Sequence, residues 1–180
     1  MKKMTMFVPI VAVLVILAVA PMVASAKACC LVPASATSIP IAYPGSPYPA
    51  PTVPTISTPN PNIIIIKDMP AYYSHALAIN GKTYTGISCD AYNAVGNFKT
   101  EVFTIYSKET WYFGAFGNLA NGFKGNTELT LFGWTGDDTF TSVEVHAVLQ
   151  GFGSFSGQTL MLSYEGPSLA APWTGYDLMT

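Results

Sequence analysis

Residues 142–167 read SVEVHAVLQGFGSFSGQTLMLSYEGP, and the alternation in this stretch decides the fold. Val143, Val145, Ala147 and Leu149 fall on one face and Glu144, His146 and Gln150 on the other, the two-residue period of a half-buried strand. After a Gly-rich turn, Leu160, Leu162 and Tyr164 alternate with Thr159, Met161, Ser163 and Glu165. Two such runs across a Gly/Ser turn predict a β-hairpin. Side chains directly opposite each other share a face, and a one-residue slip would mix the rows, so like must pair with like. That pairs Val145 with Tyr164, Ala147 with Leu162 and Leu149 with Leu160. It also sets Gln150 beside Thr159, His146 beside Ser163 and Glu144 beside Glu165, and leaves Gly153 to Ser156 as a loop. Val148 and Met161 are the apolar exceptions on the polar face.

Further strands surround the hairpin. Ile63 to Ile66 has strong β preference and reads as a buried strand. Tyr72 to Ile79 and Lys82 to Cys89 flank Asn80-Gly81, the preferred pair for a two-residue type I′ turn. Phe98 to Tyr106 reads as a strand, Ser107 to Glu109 as a turn, and Thr110 to Phe116 as an aromatic strand. A turn at Asn118 to Asn121 leads to a strand from Phe123 to Trp134, and Gly136-Asp137-Asp138 ends it. Pro167 to Pro172 reads as a loop and Trp173 to Met179 as a last strand. About eight to ten short strands joined by tight turns predict an all-β domain, a single antiparallel β-barrel or, alternatively, a β-sandwich.

The chain before this domain has a different character. Lys2 and Lys3 precede an uncharged run from Met4 to Ala26 that ends in Ala24-Ser25-Ala26, the pattern of a cleaved secretory signal peptide over residues 1–26. The alternative is a retained membrane anchor through residues 4–26, and membrane contact is expected only there. Residues 27–62 are expected to be a proline-rich linker, because Pro33 to Asn62 holds nine prolines and no charge. The folded domain is expected over residues 63–180. Loss of the signal leaves six lysines against ten acidic residues, a net charge of −4 with no arginine. Nucleic acid is an improbable partner on that count, since phosphate binding needs Lys and Arg. Three cysteines make no disulfide framework; Cys29 or Cys30 is able to bridge to Cys89, or to carry a lipid, although Ala26-Lys27-Ala28 is a poor lipid-attachment context.

The candidate ligand-binding residues are Glu144, His146, Ser163 and Glu165, which the hairpin register gathers on one face. Two carboxylates near an imidazole raise its pKa and orient it. The ordinary account of the same row is a solvated outer face, and residue chemistry favours it, because charged side chains are mostly exposed. His75 stands alone among aromatic and small residues and reads as structural, and Cys89 carries no catalytic signature. No catalytic residue, metal site or cofactor is expected. Trp111, Tyr112, Phe113, Phe116, Phe132, Trp134, Trp173 and Tyr176 are expected mainly to fill a core, with a platform for a sugar or an apolar ligand as the rival use.

The GFGSFSG turn between two amphipathic strands resembles the Gly-x-Gly-x-Phe-x-Gly hairpin of small calyx barrels of the allene oxide cyclase and dirigent type. The resemblance covers only that hairpin and implies a fold, with no catalytic residue to carry over. The expected function is a secreted or cell-surface, non-enzymatic β-domain, a binding or structural module for a small apolar molecule, a glycan or a cell-envelope component. One rival is a small barrel enzyme, an isomerase or cyclase acting on an apolar molecule. Another is a subunit that donates the Ile63–Ile66 strand to an oligomer by strand addition.

Overall fold

The computed structural model describes residues 30–136, 139–169 and 171–179. The strands are β1 (Cys30–Pro40), β2 (Thr55–Asn60), β3 (Ile63–Ile79), β4 (Lys82–Asn97), β5 (Val102–Phe113), β6 (Gly122–Phe132), β7 (Ser142–Phe152), β8 (Gln158–Gly166) and β9 (Trp173–Met179). From β3 to β9 each strand pairs antiparallel with the next. β1 then lies between the two ends of this meander, with Ala36 opposite Trp173 on one side and Leu77 on the other. The sheet therefore closes into an eight-stranded antiparallel barrel, and β2 sits outside the ring on β3. Closure, rather than a sandwich, is how this chain removes its sheet edges.

The 142–167 hairpin has the register that its apolar and polar rows demand, from Val145 opposite Tyr164 to Gln150 opposite Thr159. Asn80 and Gly81 both take the left-handed conformation, with φ 49° and 77°, and Ile79 pairs with Lys82 as a type I′ turn requires. The GFGSFSG turn goes further than a simple loop. Gly153–Phe155 forms a short 3-10 turn that folds back under the barrel and buries Phe155. The Phe155 ring meets Phe123 at 4.9 Å and Tyr84 at 5.0 Å and so plugs this end. A Cβ at Gly151 would lie 2.0 Å from the Phe155 carbonyl oxygen, so the fold-back depends on glycine there.

Three expectations are corrected. The segment read as a linker, residues 27–62, contains β1 and β2, so the barrel begins at Cys30 and not at Ile63. Its prolines are tolerated because of where they fall. The Pro33 carbonyl accepts from Asn80 N–H, just past the end of β3, and Pro40 lies beyond the reach of β9, so neither ring removes a ladder bond. Residues 41–54 cross the outside of the barrel, where Tyr48 is buried against Tyr112 and Phe116, and Tyr72 donates to the Pro49 carbonyl. Second, β3 is one strand through Lys67-Asp68, because a bulge between Ile66 and Met69, with Asp68 at φ 56°, absorbs the charged pair. Third, Ser107 to Glu109 is no turn: β5 runs straight through it. The turn expected at Asp137-Asp138 and the signal expected at residues 1–26 lie outside the described residues. Among the described residues no helix is long and apolar enough to cross a membrane.

Inward rows fill the plugged half of the barrel. Leu77, Trp111, Phe123, Leu149 and Leu160 are wholly buried there, and Val143 and Val145 carry the buried row of β7 on towards the other end. Towards the opposite end the inward rows of β3 to β6 change from apolar to polar, and the packing opens.

Candidate functional site

The inward row of β4 reads Ser88, Asp90, Tyr92, and that of β5 reads Ser107, Glu109, Trp111. Asp90 and Glu109 stand directly opposite each other in the β4–β5 ladder, so two carboxyl groups face the interior side by side. β3 adds Tyr73 and His75, β1 adds Ser38 opposite His75, and β6 adds Thr127 opposite Ser107. All of these but Ser88 and Trp111 line a cavity of about 340 Å³ inside the barrel, open at the end away from Phe155. Ile105, Leu129, Leu131 and Trp173 complete its walls, and Ile39, Pro40 and Leu169 stand at its rim. No lysine or arginine is among the lining residues.

Trp111 forms the base of this polar cluster. Its Nε1–H donates to Glu109 Oε2 at 2.7 Å, and its ring stacks on His75 with centroids 4.1 Å apart and planes 19° apart. His75 Nδ1 lies 2.7 Å from Ser38 Oγ, which fixes the imidazole and leaves Nε2 without a partner among the described residues. Asp90 Oδ1, Ser107 Oγ, Thr127 Oγ1 and Trp173 Nε1 likewise make no hydrogen bond among the described residues. Buried polar atoms are ordinarily satisfied, so a cavity lined by several unsatisfied ones is built for something polar to enter.

Burial sets the protonation states. It pushes the Asp90 carboxyl up to about 9, helped by the charge of Glu109 and opposed by neighbouring Ser88. Burial raises Glu109 as well, with Trp111 and Thr127 opposing, although the Ser88 and Thr127 hydroxyls do not reach hydrogen-bonding geometry. Two adjacent buried carboxyls do not both ionise, so the pair holds a proton at neutral pH. Burial lowers His75 to about 3, which makes it a neutral imidazole. The Tyr73 hydroxyl is held protonated by burial and then by Asp90 and Glu109.

The hairpin residues lie elsewhere. Glu144, His146, Ser163 and Glu165 come together as their register requires, but on the outer face of the barrel, with His146, Ser163 and Glu165 exposed and Glu144 half-buried. None of the four lines the cavity. His75, read as structural, lines it; His75 and His146 point to opposite sides of the wall and make no metal pair. Among the described residues no group of three or more His, Cys, Asp or Glu is placed to hold a metal ion. Cys89 carries no disulfide and faces outward from β4, its thiol pushed up to about 11 by burial and then by Asp90. Cys29 lies outside the described residues. The aromatic residues divide between core and surface: Trp111, Phe113, Trp134 and Trp173 are buried, Phe116 and Tyr176 exposed.

Asp90, Glu109 and Ser107 were legible in one way only. Carrying the two-residue period across the polar positions, Ser88-Asp90-Tyr92 and Ser107-Glu109-Trp111, puts them on the same row as the core. No family model, curated protein or solved structure matches this chain.

Proposed function

We propose that this protein is an exported calyx that binds a small, largely apolar molecule with a polar end inside its barrel. The single observation that carries this reading is the end-open cavity of about 340 Å³, with apolar walls and unsatisfied Asp90, Ser107 and His75 atoms at its polar side. Ligand sites are mostly apolar pockets of this order with a few convergent polar groups. The likeness of the 151–157 turn to that of the allene oxide cyclase and dirigent type barrels supports a calyx and names no ligand. Export rests on the reading of residues 1–26.

A second reading, a barrel enzyme on a small apolar molecule, is favoured by one feature. A neutral imidazole and a protonated carboxyl pair share one cavity, which is the equipment for moving a proton. Chemical turnover of a bound ligand would decide for it. Strand donation loses its basis, because Ile63–Ile66 already pairs with β2 on one side and β4 on the other.

The test is titration with 1-hexanol, followed by the fluorescence of Trp111 and Trp173. Saturable quenching is expected, lost in Ser107→Phe, which fills the cavity, and kept in His146→Ala, which alters the outer face. A Ser107→Phe protein that folds and still binds would place the ligand elsewhere and sink the proposal.

A further inference from the structure

The polar side of the cavity has a definite sign. Asp90 and Glu109 are both more than nine-tenths buried, face each other across the β4–β5 ladder, and meet no cation of the protein. The hydrogen bond from Trp111 reaches Glu109, while Asp90, a residue of the cavity wall, has an Oδ1 with no partner among the described residues. His75, a neutral imidazole whose Nε2 has no partner among the described residues, lines the same cavity. The rings of Tyr73, Tyr92 and Trp173 border the same space. Buried carboxyls without a counter-charge are a heavy expense in stability unless something compensates them. An entering anion would meet two acids and no positive partner. An ammonium group, in contrast, finds carboxyl oxygens and aromatic faces, the two environments that hold a cation.

We propose that the ligand of this cavity is a small apolar amine, its ammonium received by the Asp90–Glu109 carboxyl pair and its hydrocarbon body lying against Ile105, Leu129, Leu131 and Trp173. The proposal rests on the calyx reading above and narrows it to one ligand class. The proton balance follows. The amine arrives as ammonium and pairs with the one carboxylate of the pair, the other carboxyl keeps its proton, and the two charges cancel with no proton released and no covalent step. The groups facing the pair are Tyr73 and His75 from β3, Ser88 and Tyr92 from β4, Ser107 and Trp111 from β5 and Thr127 from β6. None is a cation at neutral pH, so the carboxylate of the pair has no counter-charge until the amine enters.

The experiment compares n-hexylamine with 1-hexanol, its neutral counterpart, on the full domain at pH 7. The amine is expected to bind at least ~10-fold more tightly, the worth of one charge-assisted contact. The isosteric double variant Asp90→Asn/Glu109→Gln should lose that ~10-fold preference, with hexanol affinity within about twofold of the parent. Should hexanol bind as tightly as hexylamine in the parent, the amine assignment falls and the calyx stands. Hexylamine binding that persists in Ser107→Phe is surface ion pairing and also overturns it. If neither probe binds, the calyx reading falls and this one with it. The amine-over-alcohol ratio measured on the parent keeps the test decisive if the double variant fails to fold.

Discussion

Trp111 ties the floor of the barrel to its chemistry, since one indole both supports His75 and supplies the hydrogen bond to Glu109. Trp111→Phe removes that donor and leaves a buried acceptor unmet. It should cost about 1–3 kcal/mol in urea unfolding, whereas Glu109→Gln keeps an acceptor and should stay within about 1 kcal/mol of the parent. The pH dependence has two opposed parts. Asp90 sits at about 9 in the fold against an ordinary 3.8, so the folded chain holds a proton that the unfolded chain releases. Its contribution is complete below about pH 4 and is lost as pH rises towards 9. His75, at about 3 against 6.5, acts the other way: its contribution is present above pH 6.5 and is lost as pH falls to 3. Between about pH 6.5 and 8 the raised carboxyls act without opposition from His75, so Tm should decline with pH there, and Asp90→Asn should flatten the decline. An unchanged slope in that variant would take the proton away from Asp90.

At the scale of elements, the 151–157 turn does the work of a stopper. Gly151→Ala would drive a methyl group into the Phe155 carbonyl, and Phe155→Ala would remove the ring that closes the barrel end. Each should be destabilising, by about 1–3 kcal/mol for the first and about 3–5 kcal/mol for the second. Because both act through the position of one ring, the double variant should cost well under the sum of the singles in denaturant unfolding. Full additivity would mean that Gly151 serves the strand and not the stopper. The hairpin itself was legible to the last residue pair, since each row is chemically uniform and only one register keeps it so. β4 and β5 were not, and the reason is the cavity. Sequence reading ends a strand at Cys89, just short of Asp90, and makes a turn of Ser107-Lys108-Glu109, because polar residues seldom point into a barrel. Here they do, so the positions that interrupt the pattern are those that line the site. Prolines hid β1 in the same way, although Pro33 and Pro40 fall where no ladder bond is lost.

For the whole molecule, β1 makes the difference between a ring and an open sheet. Without it, β3 and β9 would both present bare edges, which recruit other chains. A protein beginning at Ile41 should scatter light and lose its near-UV circular dichroism at concentrations where one beginning at Cys30 stays clear. Equal behaviour of the two would show that β1 is dispensable to closure. The order of closure also carries a consequence for biogenesis. The strand that completes the ring is made first, yet one of its two neighbours, β9, occupies the final residues of the chain. Closure cannot finish before β9 has been synthesised, and the interior stays wet until then. The earliest strand must therefore wait for the latest, and the seven made between them stand as an open sheet in the interval.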